Sequence, residues 1–241
     1  MIGVVDYGMS NLGSVLRGLA RAGAQAELVD RPGRGEDLER RYAALVLPGD
    51  GAFGEAMARL AEQGWVEALR AWVAADRPLL GICLGLQLLF DASEERFGRE
   101  EPRGLGILPG RVVRFAPGLK VPQMGWNQVE PARLHPLWEG IPPGEFFYFV
   151  HSYYVRPDRA EDALARTEYG ERFTSAAGRG RLAAVQFHPE KSGAAGLRLL
   201  ANFVRWVETG APAPVSSREA LVNAPPPGSG AGSAGGDRPW N

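Results

Sequence analysis

Residues 78–87, Pro78-Leu79-Leu80-Gly81-Ile82-Cys83-Leu84-Gly85-Leu86-Gln87, decide the fold. An unbroken apolar run reads as a strand buried on both faces, and such strands occupy the centre of a parallel sheet covered by helices. The run meets a cysteine bracketed by glycines. This is the thiol form of the G-x-S-x-G elbow, a sharp strand-to-helix turn that presents a nucleophile at the carboxyl end of the sheet. Gly81 and Gly85 permit strained torsions and close approach of neighbouring backbone. A helix opening at residue 84 favours a thiolate at Cys83, and the Leu84 N–H points to where an oxyanion would form. A free cysteine in an arbitrary setting is usually a small buried hydrophobe. The glycine bracket at a strand–helix junction favours the nucleophile.

Working outward, residues 2–6, 25–29 and 43–47 are further short apolar runs that read as strands. Helical spacing follows the first from Leu12 to Leu19, with Gly23 as a stop, and covers 53–76 with a break at Gly64. A helix is expected from Gln87 to Glu95. Beyond residue 104 the texture changes: 105–115, 146–155 and 181–187 read as strands with few helices between them. A last amphipathic helix runs through Leu197, Leu200, Phe203, Val204 and Val207 and closes near Gly210. The expected architecture is α/β, an open, mostly parallel, flavodoxin-like sheet with helices on both faces and an added antiparallel or mixed strand region. Of the 31 residues in 211–241, 21 are Pro, Gly, Ala or Ser. That composition buries too little apolar surface to offset its ordering entropy. One folded domain over 1–209 and a disordered tail over 210–241 are therefore expected.

The composition excludes several classes. With 27 Lys+Arg against 28 Asp+Glu, the net charge of −1 leaves no electrostatic footprint for nucleic acid or an anionic membrane. Cys83 is the one cysteine, so neither an intrachain disulfide nor a Cys-rich zinc site is possible, and three histidines give no basis for a multi-histidine metal site. The start MIGVVDYG lacks the features of a signal peptide, and no apolar run approaches a membrane span of about 18 residues. A cytoplasmic protein without metal or cofactor is expected.

Two further motifs end apolar strands. In His188-Pro189-Glu190, proline keeps the histidine extended, and Glu190 is spaced to orient the imidazole, as the acid does in a Ser-His-Asp triad. A histidine so held can serve a thiol as base or as the cation of an ion pair. Pro48-Gly49-Asp50-Gly51 ends the strand over 43–47, on the same rim as Cys83. Alone it reads as an ordinary turn; beside the other two it can supply a second oxyanion N–H.

Together ICLGLQ around Cys83, HPE at 188–190 and PGDG at 48–51 resemble the class I, triad-type glutamine amidotransferases. The segments DYGMSNLGSV (6–15), KVPQMGWNQV (120–129), YFVHSYYV (148–155) and QFHPEKS (186–192) narrow the resemblance to the glutaminase subunits of imidazole glycerol phosphate synthases, over residues 1–209. The resemblance implies Cys83 as nucleophile forming a glutamyl thioester, His188 as base and Glu190 as its partner. It implies oxyanion donors at Leu84 and across Gly49, Asp50 and Gly51, and glutamine-holding residues Gln87, Glu95, Ser152 and Tyr153. It implies an interface with a cyclase subunit at Asn11, Lys120, Gln123, Trp126 and Lys191. Tyr148, Tyr153 and Tyr154 also suit an interface, although about half of an alternating strand is core in any case. Ammonium is no nucleophile, so ammonia has to pass to a partner chain through a closed route. The alternative is the glutaminase subunit of another biosynthetic amidotransferase. One departure stands out: the related proteins often carry a small apolar residue where this chain has Asp50. A carboxylate aimed into an oxyanion hole is unfavourable, so the Asp50 side chain is expected to point away from Cys83.

Overall fold

The computed structural model describes residues 1–33, 37–95 and 101–210. The proposed tail lies outside them except for Gly210. The first half alternates as the apolar runs require: β1 (Ile2–Val5), α1 (Leu12–Arg21), β2 (Ala26–Val29), α2 (Asp37–Arg41), β3 (Ala44–Gly49), α3 (Phe53–Glu62), α4 (Trp65–Ala74) and β4 (Leu79–Cys83). Gly64, in the left-handed region at φ 81°, separates α3 from α4. The second half holds α5 (Leu84–Gln87), β5 (Ala92–Ser93), β6 (Gly110–Arg114), β7 (Gln123–Pro131), β8 (Glu145–His151), β9 (Tyr153–Pro157), β10 (Ala163–Glu168), β11 (Arg172–Arg179), β12 (Leu182–Val185) and α6 (Gly193–Thr209).

The strands form one mixed sheet in the order β2-β1-β3-β4-β12-β11-β10-β7-β8, with β5, β6 and β9 branching from it. From β2 to β12 every pair is parallel, and from β12 to β8 every pair is antiparallel. β4 lies inside the parallel part with both faces covered, which is why its sequence shows no polar alternation. Its Leu80 and Ile82 face a core shared with Val15 and Leu19 of α1 and Leu199, Leu200 and Phe203 of α6. Leu79 faces the opposite core of Phe53, Leu60, Trp65, Leu69 and Trp72 from α3 and α4. Among the described residues no helix is long and apolar enough to cross a membrane.

Four expectations need correction. The helix over 87–95 is replaced by the single turn of α5. The carbonyls of Leu88, Leu89, Phe90 and Asp91 accept N–H groups from 104–108 instead of from the next helical turn. Those same bonds keep 105–109 out of β6. β3 continues through Pro48 and Gly49, where Gly49 pairs opposite Cys83. The strand over 146–155 is two strands, β8 and β9, parted at Ser152, and β7, β10 and β11 have no counterpart in the sequence reading.

Candidate active site

β3, β4 and β12 are adjacent and parallel, so their carboxyl ends share one rim. Cys83 closes β4 with φ 55° and ψ −110°, a conformation that side chains rarely adopt. The glycines beside it serve close packing. A Cβ at Gly85 would overlap the Leu47 carbonyl oxygen, and one at Gly81 would sit 2.8 Å from the Ala184 Cβ. The elbow therefore stores its strain at the cysteine while its glycines let β3, β4 and α5 meet. With α5 only one turn long, a helix dipole contributes little at Cys83.

His188 follows β12, extended at φ −102° and ψ 95° before Pro189, as that proline requires. Its N–H donates to the Tyr148 carbonyl at 2.9 Å, and its own carbonyl accepts the Ser192 hydroxyl at 2.6 Å. Its ring Nδ1 lies 2.8 Å from Glu190 Oε1, with both side chains almost fully buried. Nε2 faces the thiol: Cys83 Sγ, an Asp50 oxygen and a His188 ring nitrogen all lie within 4.8 Å of one another. Burial alone opposes protonation of His188. The thiol beside it and the Glu190 carboxylate outweigh that cost and hold the imidazole up to about 10. Such an imidazole is a cation through the neutral range, suited to an ion pair with a thiolate and to proton delivery.

A cavity of about 360 Å³ opens over the thiol. Cys83, Leu84, Gln87, Glu95, Ser152 and Tyr153 line it, together with Asp50, Gly51, Pro122, Val150 and His151. Gln87 reaches it with its amide nitrogen committed to the Tyr153 carbonyl at 2.9 Å and Gln186 Oε1 at 3.1 Å. Glu95 accepts the Phe53 N–H at 2.9 Å, tying the start of α3 to the cavity wall. Of the Pro48–Gly51 loop, Gly51 lines the cavity, whereas Gly49 does not, and the Asp50 N–H is bound to the Met9 carbonyl at 3.2 Å. His151 is buried between the Tyr153 carbonyl and Gln123 Oε1, and burial pushes it down to about 4.

The expectation that Asp50 points away from Cys83 is not met. Its Oδ1 lies 3.9 Å from His188 Nε2, and its Oδ2 accepts the Asn11 N–H at 3.3 Å. The imidazole and that amide supply the partners a carboxylate needs there, and the side chain stays 44% exposed, which spares it desolvation.

Asn11, Lys120, Trp126 and Lys191 are exposed. Gln123 is buried against His151, so it is not a surface residue in this structure. Tyr154 is likewise buried, with its hydroxyl on Glu171 at 2.9 Å. The pleat explains both: Gln123 and Tyr154 point inward, while Met124 and Trp126 point outward and stand 65% and 55% exposed. Phe146, opposite Gln128 on β8, extends the same apolar patch. Met124 and Phe146 were missed, and the alternation along KVPQMGWNQV and EFFYFV was the signal for them. Gln186, whose Nε2 lies 3.8 Å from Cys83 Sγ, and Tyr7, whose buried hydroxyl packs on Gly49, were also missed. A glutamine ending an apolar strand just before His188 was the clue to the first; nothing local marked the second.

The glutamine amidotransferase class-I family matches residues 3–206. The chain belongs to the class I glutamine amidotransferases. Within that family it is 50% identical over 204 residues to the imidazole glycerol phosphate synthase subunit HisH of Symbiobacterium thermophilum, covering 85% of this chain and 93% of that relative. The HisH subunit of Desulfitobacterium hafniense (strain DSM 10664 / DCB-2) is 45% identical over 207 residues, covering 86% and 95%. A solved glutamine amidotransferase superposes with a TM-score of 0.66 at 24% identity over 86% of this amidotransferase chain and 98% of its own. PurLQS from Thermotoga maritima gives the same TM-score at 18% identity, over 86% and 98%. Both structures share the fold.

Proposed function

We propose that this amidotransferase is the glutaminase subunit of an imidazole glycerol phosphate synthase, acting in histidine biosynthesis in the cytoplasm. One observation carries the reading: a buried Cys83–His188–Glu190 row opens onto a cavity, in a chain about half identical to HisH subunits over nearly their whole length.

The Cys83 thiolate attacks the side-chain amide carbon of glutamine, forming a C–S bond. The oxyanion is held by N–H groups at Leu84 and Gly51. His188 gives its proton to the departing nitrogen, the C–N bond breaks, and ammonia leaves a glutamyl thioester. Neutral His188 then takes a proton from water, whose oxygen displaces the thiolate to give glutamate. Glu190 keeps the imidazole in one tautomer and stabilises its charged form. Gln87, Glu95, Ser152 and Tyr153 wall the glutamine site. Ammonia passes to a cyclase subunit docked on the face that carries Asn11, Lys120, Trp126 and Lys191 with Met124 and Phe146. Trp126 packs edge-on against Tyr148 and lies within 4 Å of where a Gly193 side chain would begin, beside the His188 segment. Partner binding there is felt next to the catalytic row. Residues 1–209 are the catalytic unit, so deleting 212–241 leaves turnover unchanged.

The test is glutamate release from glutamine, by the chain alone and with a cyclase subunit and its nucleotide, with Cys83→Ala as control. Release that depends on both and is abolished by the substitution supports the reading. Release indifferent to the cyclase assigns the chain to another amidotransferase.

A further inference from the structure

Thiol hydrolysis of an amide uses a nucleophile, a proton carrier and an orienting acid. Asp50 is none of these, yet its carboxylate faces the same point as Cys83 and His188. The three ligand atoms, Sγ, a ring nitrogen and a carboxylate oxygen, lie within 4.8 Å of one another. Thiolate, imidazole and carboxylate are the donors that zinc takes, at bond lengths of about 2.0–2.3 Å and in tetrahedral array, which places neighbouring donors roughly 3.3–3.7 Å apart. Asp50 Oδ1 stands 3.9 Å from His188 Nε2 and all three donors lie within 4.8 Å of one another, so shifts of up to about an ångström, available to the half-exposed Asp50 side chain, close the set.

His188 is placed to become a ligand once Nε2 gives up its proton. Its Nε2 is buried and has no hydrogen-bond partner among the described residues, while Nδ1 is held by Glu190 at 2.8 Å. A carboxylate on the far nitrogen is the usual support of a ligating histidine: it fixes the tautomer and raises the basicity of the ligating nitrogen. Asp50 is anchored in turn by the Asn11 N–H through its other oxygen. Cys83 and Asp50 line the 360 Å³ cavity, so solvent reaches the set from that side. Hard cations such as Mg²⁺ have little affinity for a thiolate and an imidazole, so the set selects zinc and its borderline relatives.

We propose that Cys83, His188 and Asp50 form a zinc-type cation site whose occupation switches the thiol off. Binding forms the S–Zn and Nε2–Zn bonds, and the proton that His188 holds against the thiolate goes to solvent. The sulfur lone pair and Nε2 are then both engaged, so neither attack nor proton transfer occurs until the metal leaves.

The experiment adds Co²⁺ as a spectroscopic probe to the full chain in metal-free buffer, then displaces it with Zn²⁺. Cys83 is the only cysteine in the sequence, so a thiolate-to-cobalt charge-transfer band reports on this site alone. The expected result is that band, with intense tetrahedral visible bands, saturating at one equivalent. Cys83→Ser abolishes the charge-transfer band. Asp50→Asn and Asp50→Val each weaken Zn²⁺ binding by at least about tenfold, with circular dichroism showing that both variants fold. Absence of the band, or Asp50→Asn binding Zn²⁺ as tightly as the parent, overturns the proposal. The readout does not depend on turnover. Metal binding without glutaminase activity refutes the proposed function alone, and activity without metal binding refutes this site alone.

Discussion

Cys83 carries the one strained torsion that the elbow needs, and exchanging it for alanine or glycine measures that strain. Both substitutions remove the sulfur and differ by one methyl group. At an ordinary position glycine is the worse of the two by about 0.5–1 kcal/mol, because it loses more backbone freedom on folding. Here φ is 55° and ψ is −110°, outside even the left-handed basin that some side chains tolerate. Holding a side-chain-bearing residue in such a region costs of order 2–3 kcal/mol, at the upper end of the usual range. Alanine keeps that cost and glycine releases it. Cys83→Gly is therefore expected to be more stable than Cys83→Ala by about 1–2 kcal/mol, the reverse of the usual order. In a domain of this size each kcal/mol moves the melting temperature by roughly 2–4 °C. Urea denaturation of both variants, followed by tryptophan fluorescence and repeated as thermal melts, reads the difference. If Cys83→Ala is as stable as Cys83→Gly, the elbow is not strained and the argument fails.

Three more outcomes follow from particular contacts. Gly196→Ala, inside α6, would normally gain about 1 kcal/mol of helix propensity; its Cβ overlaps the Pro189 carbonyl, so it should instead lose about 2 kcal/mol and slow glutamate release by displacing the His188 segment, and a variant as stable as the parent refutes this packing. Tyr7 is buried with no hydrogen-bond partner for its hydroxyl among the described residues, and burial with the nearby Asp50 and Cys83 keeps its ionisation well above the ordinary range. Tyr7→Phe should therefore raise stability by about 1 kcal/mol, and a loss of that size in a denaturation curve would reveal a partner. His188 is held up to about 10 in the folded chain against an ordinary 6.5. The folded state thus binds its proton more tightly than the unfolded chain. That stabilisation is complete below about pH 6.5 and is lost as pH rises towards about 10. Glu190→Gln should flatten the loss in chemical denaturation followed across that window, and an unchanged slope would show that Glu190 does not hold the charge.

The parallel half of the fold was legible in the sequence because its elements are buried in a simple way. A strand covered on both faces is apolar throughout, as in Leu79–Cys83, and a helix between strands shows a 3.6-residue stripe, as in α1 and α6. The antiparallel half was less so. β7 has alternating exposure and glycines, and β10 and β11 are rich in Ala, Thr, Ser and Arg, so their pairing rather than their composition makes them strands. The false helix over 87–95 has the same origin. Its residues look helical locally, but 104–108 takes up its carbonyls, and no local pattern reports a partner a dozen or more residues away.

The sequence by itself determined the chemistry of the rim. A glycine-bracketed cysteine and a His-Pro-Glu triplet, each ending an apolar strand, must meet if β4 and β12 are neighbours, because parallel strands end on the same side. Tertiary structure alone decided what surrounds them. It turned Gln123 and Tyr154 inward and Met124, Trp126 and Phe146 outward, through the register of β7 with β8 and of β6 with β9. It also brought Asp50 to His188 and Cys83 instead of away from them. Spacing along a chain constrains the direction of a strand, whereas the direction of a loop carboxylate depends on which distant donors and charges lie within a few ångströms, and here those are the Asn11 amide and the His188 ring.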